Sequence, residues 1–271
     1  MSTEFPPHAE FLSFATTLAN SSRSMLLSAS QKLPEVTIKA DASFVTTTDK
    51  AVEKKIRDMI LAEYPDHGIF GEEFENVNID AEFVWVIDPI DGTAAFVAGI
   101  PVYGTLIALA WNGKPFIGII DHPLTDDRWT GVNHICAFHN DKPIKTRSCD
   151  TLSSAYVTCS NGDFMLPSQL VKFTSVRKKV PYVQYGGSCF AYGVLASGRS
   201  DLAIDAGLDA FDIYACAAII QGAGGIVTSW DGAELSFDMD GTVLAAGDAS
   251  LYQTVFEQLR SYPKVLPDPT L

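Results

Sequence analysis

The chain has 271 residues, with 19 Lys and Arg against 33 Asp and Glu and a formal net charge of −14. So acidic a balance excludes nucleic acid or an anionic membrane as the main partner, since both select basic surface. A hydrophobic content of 47% with 19% charged residues describes one or two globular domains and excludes a disordered or fibrous chain.

The opening decapeptide, MSTEFPPHAE, carries acids and no basic residue, which argues against a secretory signal. Phe11, Phe14, Leu18, Met25 and Leu26 follow helical spacing, so a helix is expected within residues 8–30. A second helix is expected from Thr48 and Asp49, both good N-cap types, to about Tyr64. Val52, Ile56, Met59 and Ile60 form its apolar face and Pro65 ends it. Residues 83–87, Phe-Val-Trp-Val-Ile, read as a buried strand. A loop Asp88-Pro89-Ile90-Asp91-Gly92-Thr93 and a short helix over 94–98 follow.

Residues 104–111 and 114–121 are strand-like and separated by Asn112-Gly113, a type I′ hairpin signal. Residues 128–132 and 135–138 extend the same antiparallel sheet. The polar segment 140–151 marks a domain boundary, giving an N-terminal α+β domain over 1–145 and a C-terminal α/β domain over 146–271. In the second half, strands are expected at 155–159, 201–205, 226–230 and 243–246. Helices are expected at 189–197, 211–221 and 249–262, an alternation typical of an α/β layer.

The apolar runs at 83–87 and 106–111 are far shorter than the roughly 18 residues a membrane span needs. Cys136, Cys149, Cys159, Cys189 and Cys216 are odd in number and form no CxxC pair. They read as free thiols of a reducing compartment, the cytoplasm.

The charge is concentrated. Between Asp58 and Gly113 there is no Lys or Arg, yet the segment holds ten of the 33 acids. Glu75, Asp80 and Glu82 fit a solvated surface. Asp88 and Asp91, three residues apart behind a buried strand and braced by Pro89, suit one or two hard cations, for which oxygen ligands are preferred. Gly92, Thr93 and Ala94 would then present backbone N–H groups to an anion at a helix start. Taken alone, Glu72 in Gly71-Glu72-Glu73 reads as an exposed loop residue and Asp212 as the N-cap of its helix. Gly222-Ala223-Gly224-Gly225 precedes a strand, so it reads as a helix C-cap and turn and not as a dinucleotide fingerprint. No GxSxG or CxxxxxR loop is present. The five histidines form no HxH or HExxH pattern, and His122 is expected to be structural.

Glu72, the run Asp88 to Thr93, and Asp212 placed twelve residues before Gly224-Gly225 resemble the inositol monophosphatase-like, Mg²⁺-dependent and lithium-sensitive phosphatases. The resemblance spans Lys39 to Gly247. It is nearest to the histidinol-phosphatase branch through Gly104-Thr105-Leu106, Gly118-Ile119-Ile120-Asp121, Arg128-Trp129, Tyr185-Gly186-Gly187, Leu195-Ala196-Ser197-Gly198 and Ala206-Gly207-Leu208. It implies a layered αβαβα sandwich, as in inositol monophosphatase and fructose-1,6-bisphosphatase, and a homodimer. It also implies two or three Mg²⁺ ions held by Glu72, Asp88, the Ile90 carbonyl, Asp91 and Asp212. Thr93 with Asp49 is similar to the family's dyad that takes the proton from the attacking water. Gly92 and Thr93 would hold the phosphate, and Asp205, Gly187 and Ser188 would meet the rest of the substrate. Lys39 matches a lysine near the family's metal loop.

The implied reaction is hydrolysis of a small phosphate monoester. Histidinol phosphate comes first, inositol 1-phosphate or a related sugar phosphate second, and a non-catalytic metal-binding homologue last. Ser188 departs from the branch, which usually carries an acid there. Phe211 stands where inositol-type enzymes have Trp.

Overall fold

The computed structural model describes residues 6–39 and 44–261. The first five residues, part of the N-terminal expectation, and Tyr262, the expected end of the last helix, lie outside them. In chain order come α1 (His8–Ala29), β1 (Val36–Ile38), β2 (Phe44–Thr46), α2 (Thr47–Glu63), β3 (Gly68–Gly71), β4 (Phe83–Asp91) and α3 (Thr93–Ala98). Then follow β5 (Gly104–Trp111), β6 (Lys114–His122), β7 (Asp127–Val132), β8 (Cys136–His139) and β9 (Lys142–Pro143). The second half has β10 (Tyr156–Cys159), α4 (Pro167–Arg177), β11 (Tyr182–Tyr185), α5 (Ser188–Ala196), β12 (Leu202–Asp205), α6 (Ala210–Gly222), β13 (Ile226–Thr228), β14 (Val243–Ala246) and α7 (Ala249–Ser261).

β3 to β9 form one seven-stranded sheet in sequence order. The other large sheet has the order β11-β10-β12-β14-β13. Strand alternation sends successive side chains to opposite faces, and the apolar residues divide accordingly. From β4 and β5, Trp85, Ile87, Ile107 and Leu109 pack under α1 and α2. Their neighbours Val84, Val86, Leu106 and Ala108 pack against α5 and α6, which meet Ala203, Val243 and Ala245 of the second sheet on their far side. Leu202, Ile204, Leu244 and Ala246 face the opposite way, toward Phe173 and Val176 of α4 and Leu251 and Val255 of α7. Three apolar clusters thus fill the four interfaces of five layers, the αβαβα sandwich expected from the resemblance.

α6 shows no polar face: Ile213 through Ile220 are all buried. It fits because the sheet beneath it offers glycine. An alanine methyl at Gly118 would lie 2.2 Å from the Ala215 carbonyl oxygen. Gly118→Ala is therefore expected to cost about 3 kcal/mol, read as a shift of the urea midpoint at unchanged slope. Asp121, fully buried, receives Arg23 of α1 and Arg128 of β7, which ties the first helix to the sheet.

Several expectations are corrected. The second helix is capped by Thr46, two residues before the expected Thr48, and Asp49 sits in its first turn. α6 is capped by Asp209, not by Asp212. The segment 88–91 is not a loop after the strand. It continues β4 through a register shift, with Asp88 opposite Leu106 and Asp91 opposite Gly104. Pro89, which has no N–H to donate, is tolerated at that irregularity. β1, β2, β3, β9, α4 and β11 were not anticipated. The Asn112-Gly113 turn has φ of 49° and 74°, as a type I′ turn requires. The five cysteines are free, and Glu75, Asp80 and Glu82 are exposed as expected. Among the described residues, no helix is long and apolar enough to cross a membrane.

Candidate active site

The acids gather where β4 meets α6. Asp88, at 2% exposure, lies inside the strand. Asp91 follows at the register shift, and Asp212 approaches from the first turn of α6. One carboxylate oxygen from each of the three lies within 4.8 Å of the others. Each is held by a backbone donor: the Ile90 amide donates to Asp88 Oδ1 at 3.0 Å, the Cys189 amide to Asp91 Oδ2 at 2.6 Å, and the Asp209 amide to Asp212 Oδ2 at 2.6 Å. The Cys189 side chain also donates to Asp91.

Three carboxylates so close repel one another. Burial first, then the neighbouring Glu72, Asp91 and Asp212, pushes the Asp88 carboxyl well above the ordinary range. Asp212 is pushed up by burial and then by Asp91. Asp91 is raised by burial, which outweighs the Cys189 hydrogen bond. An all-oxygen set held in mutual repulsion fits a hard divalent cation, which would remove the repulsion and supply the missing counter-charge.

Glu72 stands beside this cluster. Its amide donates to the Ile87 carbonyl at 3.3 Å, which ties it to β4. Its Oε1 accepts from Lys39 Nζ at 2.9 Å, and Lys39 also reaches Glu73 Oε1 at 2.7 Å. Burial raises Glu72 to about 7, with Lys39 opposing.

Thr93 Oγ1 donates to the Ile90 carbonyl at 2.9 Å and lies 3.3 Å from Asp49 Oδ1. The dyad inferred from the resemblance is therefore assembled. Asp49 is fixed because it belongs to the capping box of α2: its Oδ2 accepts the Thr46 amide at 2.7 Å. Burial holds its carboxyl above the ordinary range.

Gly92 has φ of 78° and ψ of 39°, the left-handed region that favours glycine. A side chain there would also collide with Ser188, whose Oγ would lie 2.8 Å from a Cβ. The first turn of α5 thus brings Ser188, itself at φ 44°, onto Gly92. Gly187 caps that helix. Asp205 sits deeper. It is 2% exposed. Its Oδ1 accepts the Ser160 amide at 2.5 Å and its Oδ2 the Tyr192 hydroxyl at 2.6 Å.

His122 is 1% exposed, with Nε2 3.2 Å from Cys189 Sγ. Burial lowers it to about 4, so it is neutral at pH 7. The Cys189 amide is the contributor that sequence reasoning missed. No local signal marks it, since it meets Asp91 across 98 positions of sequence.

A model of the inositol monophosphatase family matches residues 8–264. This chain belongs to the inositol monophosphatase family. Among its relatives, the chloroplastic bifunctional phosphatase IMPL2 of Arabidopsis thaliana is 37% identical over 258 residues, covering 92% of this chain and 75% of that protein. A histidinol-phosphatase of Chlorobaculum parvum is 32% identical over 212 residues, 78% of this chain and 82% of that one. The solved inositol monophosphatase of Zymomonas mobilis superposes with a TM-score of 0.86 at 34% identity, over 94% of this chain and all of the other. The sandwich is thus the family fold. Membership makes the chain a phosphatase acting on small phosphate monoesters, in a family that is generally metal-dependent.

Proposed function

We propose that this protein is a Mg²⁺-dependent phosphomonoesterase whose first substrate is histidinol phosphate. The observation that carries the reading is the meeting of Asp88, Asp91 and Asp212 from the two halves of the chain. Glu72 and the Ile90 carbonyl complete the ligand set for two or three ions. Mg²⁺ bound there would lower the pKa of a water and neutralise charge on the phosphoryl oxygens.

The chain's own residues do the rest. With its hydroxyl turned from the Ile90 carbonyl to Asp49 Oδ1, Thr93 Oγ1 takes the proton from the attacking water as its own proton passes to Asp49. Burial of Asp49 makes that carboxylate a better acceptor than an exposed one. The Gly92 and Thr93 amides hold the phosphate. Ser188, Gly187 and Asp205 lie on the side where the leaving group sits. Because both Asp205 oxygens already accept internal donors, Asp205 shapes this wall more than it offers a free carboxylate.

The two units, 1–145 and 146–271, each contribute to the cluster. Five unpaired thiols fit a reducing compartment such as the cytoplasm, and a homodimer is the expected assembly. The histidinol-phosphatase relative supports the first substrate. The inositol monophosphatase at 34% identity supports inositol 1-phosphate as the second.

The test is phosphate release from histidinol phosphate, inositol 1-phosphate, fructose 1,6-bisphosphate and adenosine 3′,5′-bisphosphate, each with and without Mg²⁺. Mg²⁺-dependent turnover led by histidinol phosphate supports the proposal. No turnover of any of the four would leave a non-catalytic metal-binding homologue. Ser188→Asp is expected to shift the kcat/KM ratio toward histidinol phosphate by about tenfold, as an acid beside a substrate ammonium should. Any repulsion of the shared phosphate cancels in the ratio. An unchanged ratio would discard the amine-pairing argument.

A further inference from the structure

The inner face of α2 buries Val52, Ile56 and Ile60, and among them two charged residues one turn apart, Glu53 and Arg57. Glu53 is fully buried and Arg57 is 8% exposed. Arg57 Nε donates to Glu53 Oε1 at 2.7 Å. Their remaining capacity goes to one stretch of backbone. Glu53 Oε2 accepts the Glu73 amide at 2.8 Å. Arg57 Nη1 donates to the Glu75 carbonyl at 3.0 Å, and Nη2 donates to the Phe74 carbonyl at 3.1 Å. The guanidinium also lies over the Phe74 ring, 5.7 Å from its centroid. The three residues that follow Glu72 are all fastened to this pair.

Stability does not account for such an arrangement. A buried ion pair about breaks even against apolar side chains of similar volume, because desolvating both charges offsets their attraction. Its gain is geometric. A planar guanidinium offers donors in a fixed fork, and two of them here fix the direction of the chain leaving Glu72. On the other side, β3 pairs Gly71 with Ile87 and the Glu72 amide reaches the Ile87 carbonyl. Glu72 is thereby held between a strand and a clamp.

We propose that Glu53 and Arg57 are positioning residues that set the 73–75 backbone, so that Glu72 presents its carboxylate to the metal, and that they govern cation affinity without touching the ion. The inference rests on the reading of Glu72 as a ligand. Partners of this kind behind a metal ligand typically account for 10- to 100-fold in affinity.

The test measures Mn²⁺ binding to the metal-free protein, through loss of the free-ion electron paramagnetic resonance signal, alongside the melting temperature. Glu72→Gln defines the binding that Glu72 supports. Arg57→Lys keeps the charge beside Glu53 but cannot span both carbonyls. Glu53→Gln with Arg57→Met removes both charges together. The expected result is Mn²⁺ binding weakened by about tenfold or more in both, in the class of sites that Glu72→Gln weakens. The melting temperature should stay near wild type, and kcat at saturating Mg²⁺ should recover. If the double variant fails to fold, Arg57→Lys alone decides between the outcomes. Unchanged Mn²⁺ affinity in a folded variant, with Glu72→Gln weakened, overturns the clamp. Unchanged affinity in Glu72→Gln itself overturns the ligand reading instead.

Discussion

Asp91→Asn is expected to lower kcat by a factor of about 10³ while making the metal-free protein more resistant to heat. The two effects share one cause. Asp91 stands beside Asp88 and Asp212, and all three carboxyls are pushed up by burial, Asp88 and Asp212 also by the Asp91 charge. Asparagine keeps the shape and can still accept the Cys189 amide, so the first turn of α5 stays in place. It removes one of three repelling charges and with it a ligand for the cation. Loss of one preorganised electrostatic partner typically costs about 10²–10³ in rate, and a metal ligand belongs at or above that range. Activity falls while stability rises, the trade-off expected where a site is assembled for function against its own repulsion. Steady-state assays with and without added Mg²⁺, paired with melting curves in EDTA, check both halves. Near wild-type kcat would refute the ligand assignment. A lower melting temperature in EDTA would show that Asp91 stabilises the fold instead.

The metal-free protein is expected to lose stability as pH rises from about 4 through 7, and Mg²⁺ is expected to remove that slope. An acid whose folded pKa lies above its unfolded value binds more protons in the native state between the two values. Native stability therefore falls as pH climbs through that window. Glu72, raised to about 7, carries the slope through neutral pH, and Asp88, Asp91 and Asp212 are shifted in the same direction. A cation binds the deprotonated carboxylates, so it stabilises most where the metal-free protein is weakest. At one hundred times its dissociation constant, a ligand adds about 2.7 kcal/mol. Denaturant midpoints at pH 5 and pH 7.5, in EDTA and in Mg²⁺, give the four values needed. A metal-free protein equally stable at both pH values would contradict the account.

Much of the cluster was legible because its signals are local. The run 83–87 is apolar and β-branched enough to be a strand from sequence alone, and acids directly behind such a strand have few structural uses. The capping residues were misread for a reason that is also local. Thr46 and Asp49, like Asp209 and Asp212, are each paired three apart, and either member of such a pair suits an N-cap. Only the backbone decides, and in both cases it gives the cap to the first, while one oxygen of the second closes the capping box.

The missed elements lack a pattern to read. β1 is exposed at all three positions, and the four residues of β11 bury only Val183. The contacts that finish the site were out of reach because they are non-local. Ser188 against Gly92 and the Cys189 amide on Asp91 join segments nearly a hundred residues apart. The Glu53–Arg57 pair had a legible spacing, but nothing in the chain shows that it turns inward.

α6 has one more consequence. It carries Asp212 at its head, and its flanks are sealed against β4 to β7 on one side and against Ala203, Val243 and Ala245 on the other. Swinging the two sheets apart to admit a substrate would strip this wholly apolar rod of its cover on one side. That costs far more than a catalytic cycle can spend in each turnover. The two sheets are therefore expected to stay closed on α6, so that the halves of the chain unfold together in one transition.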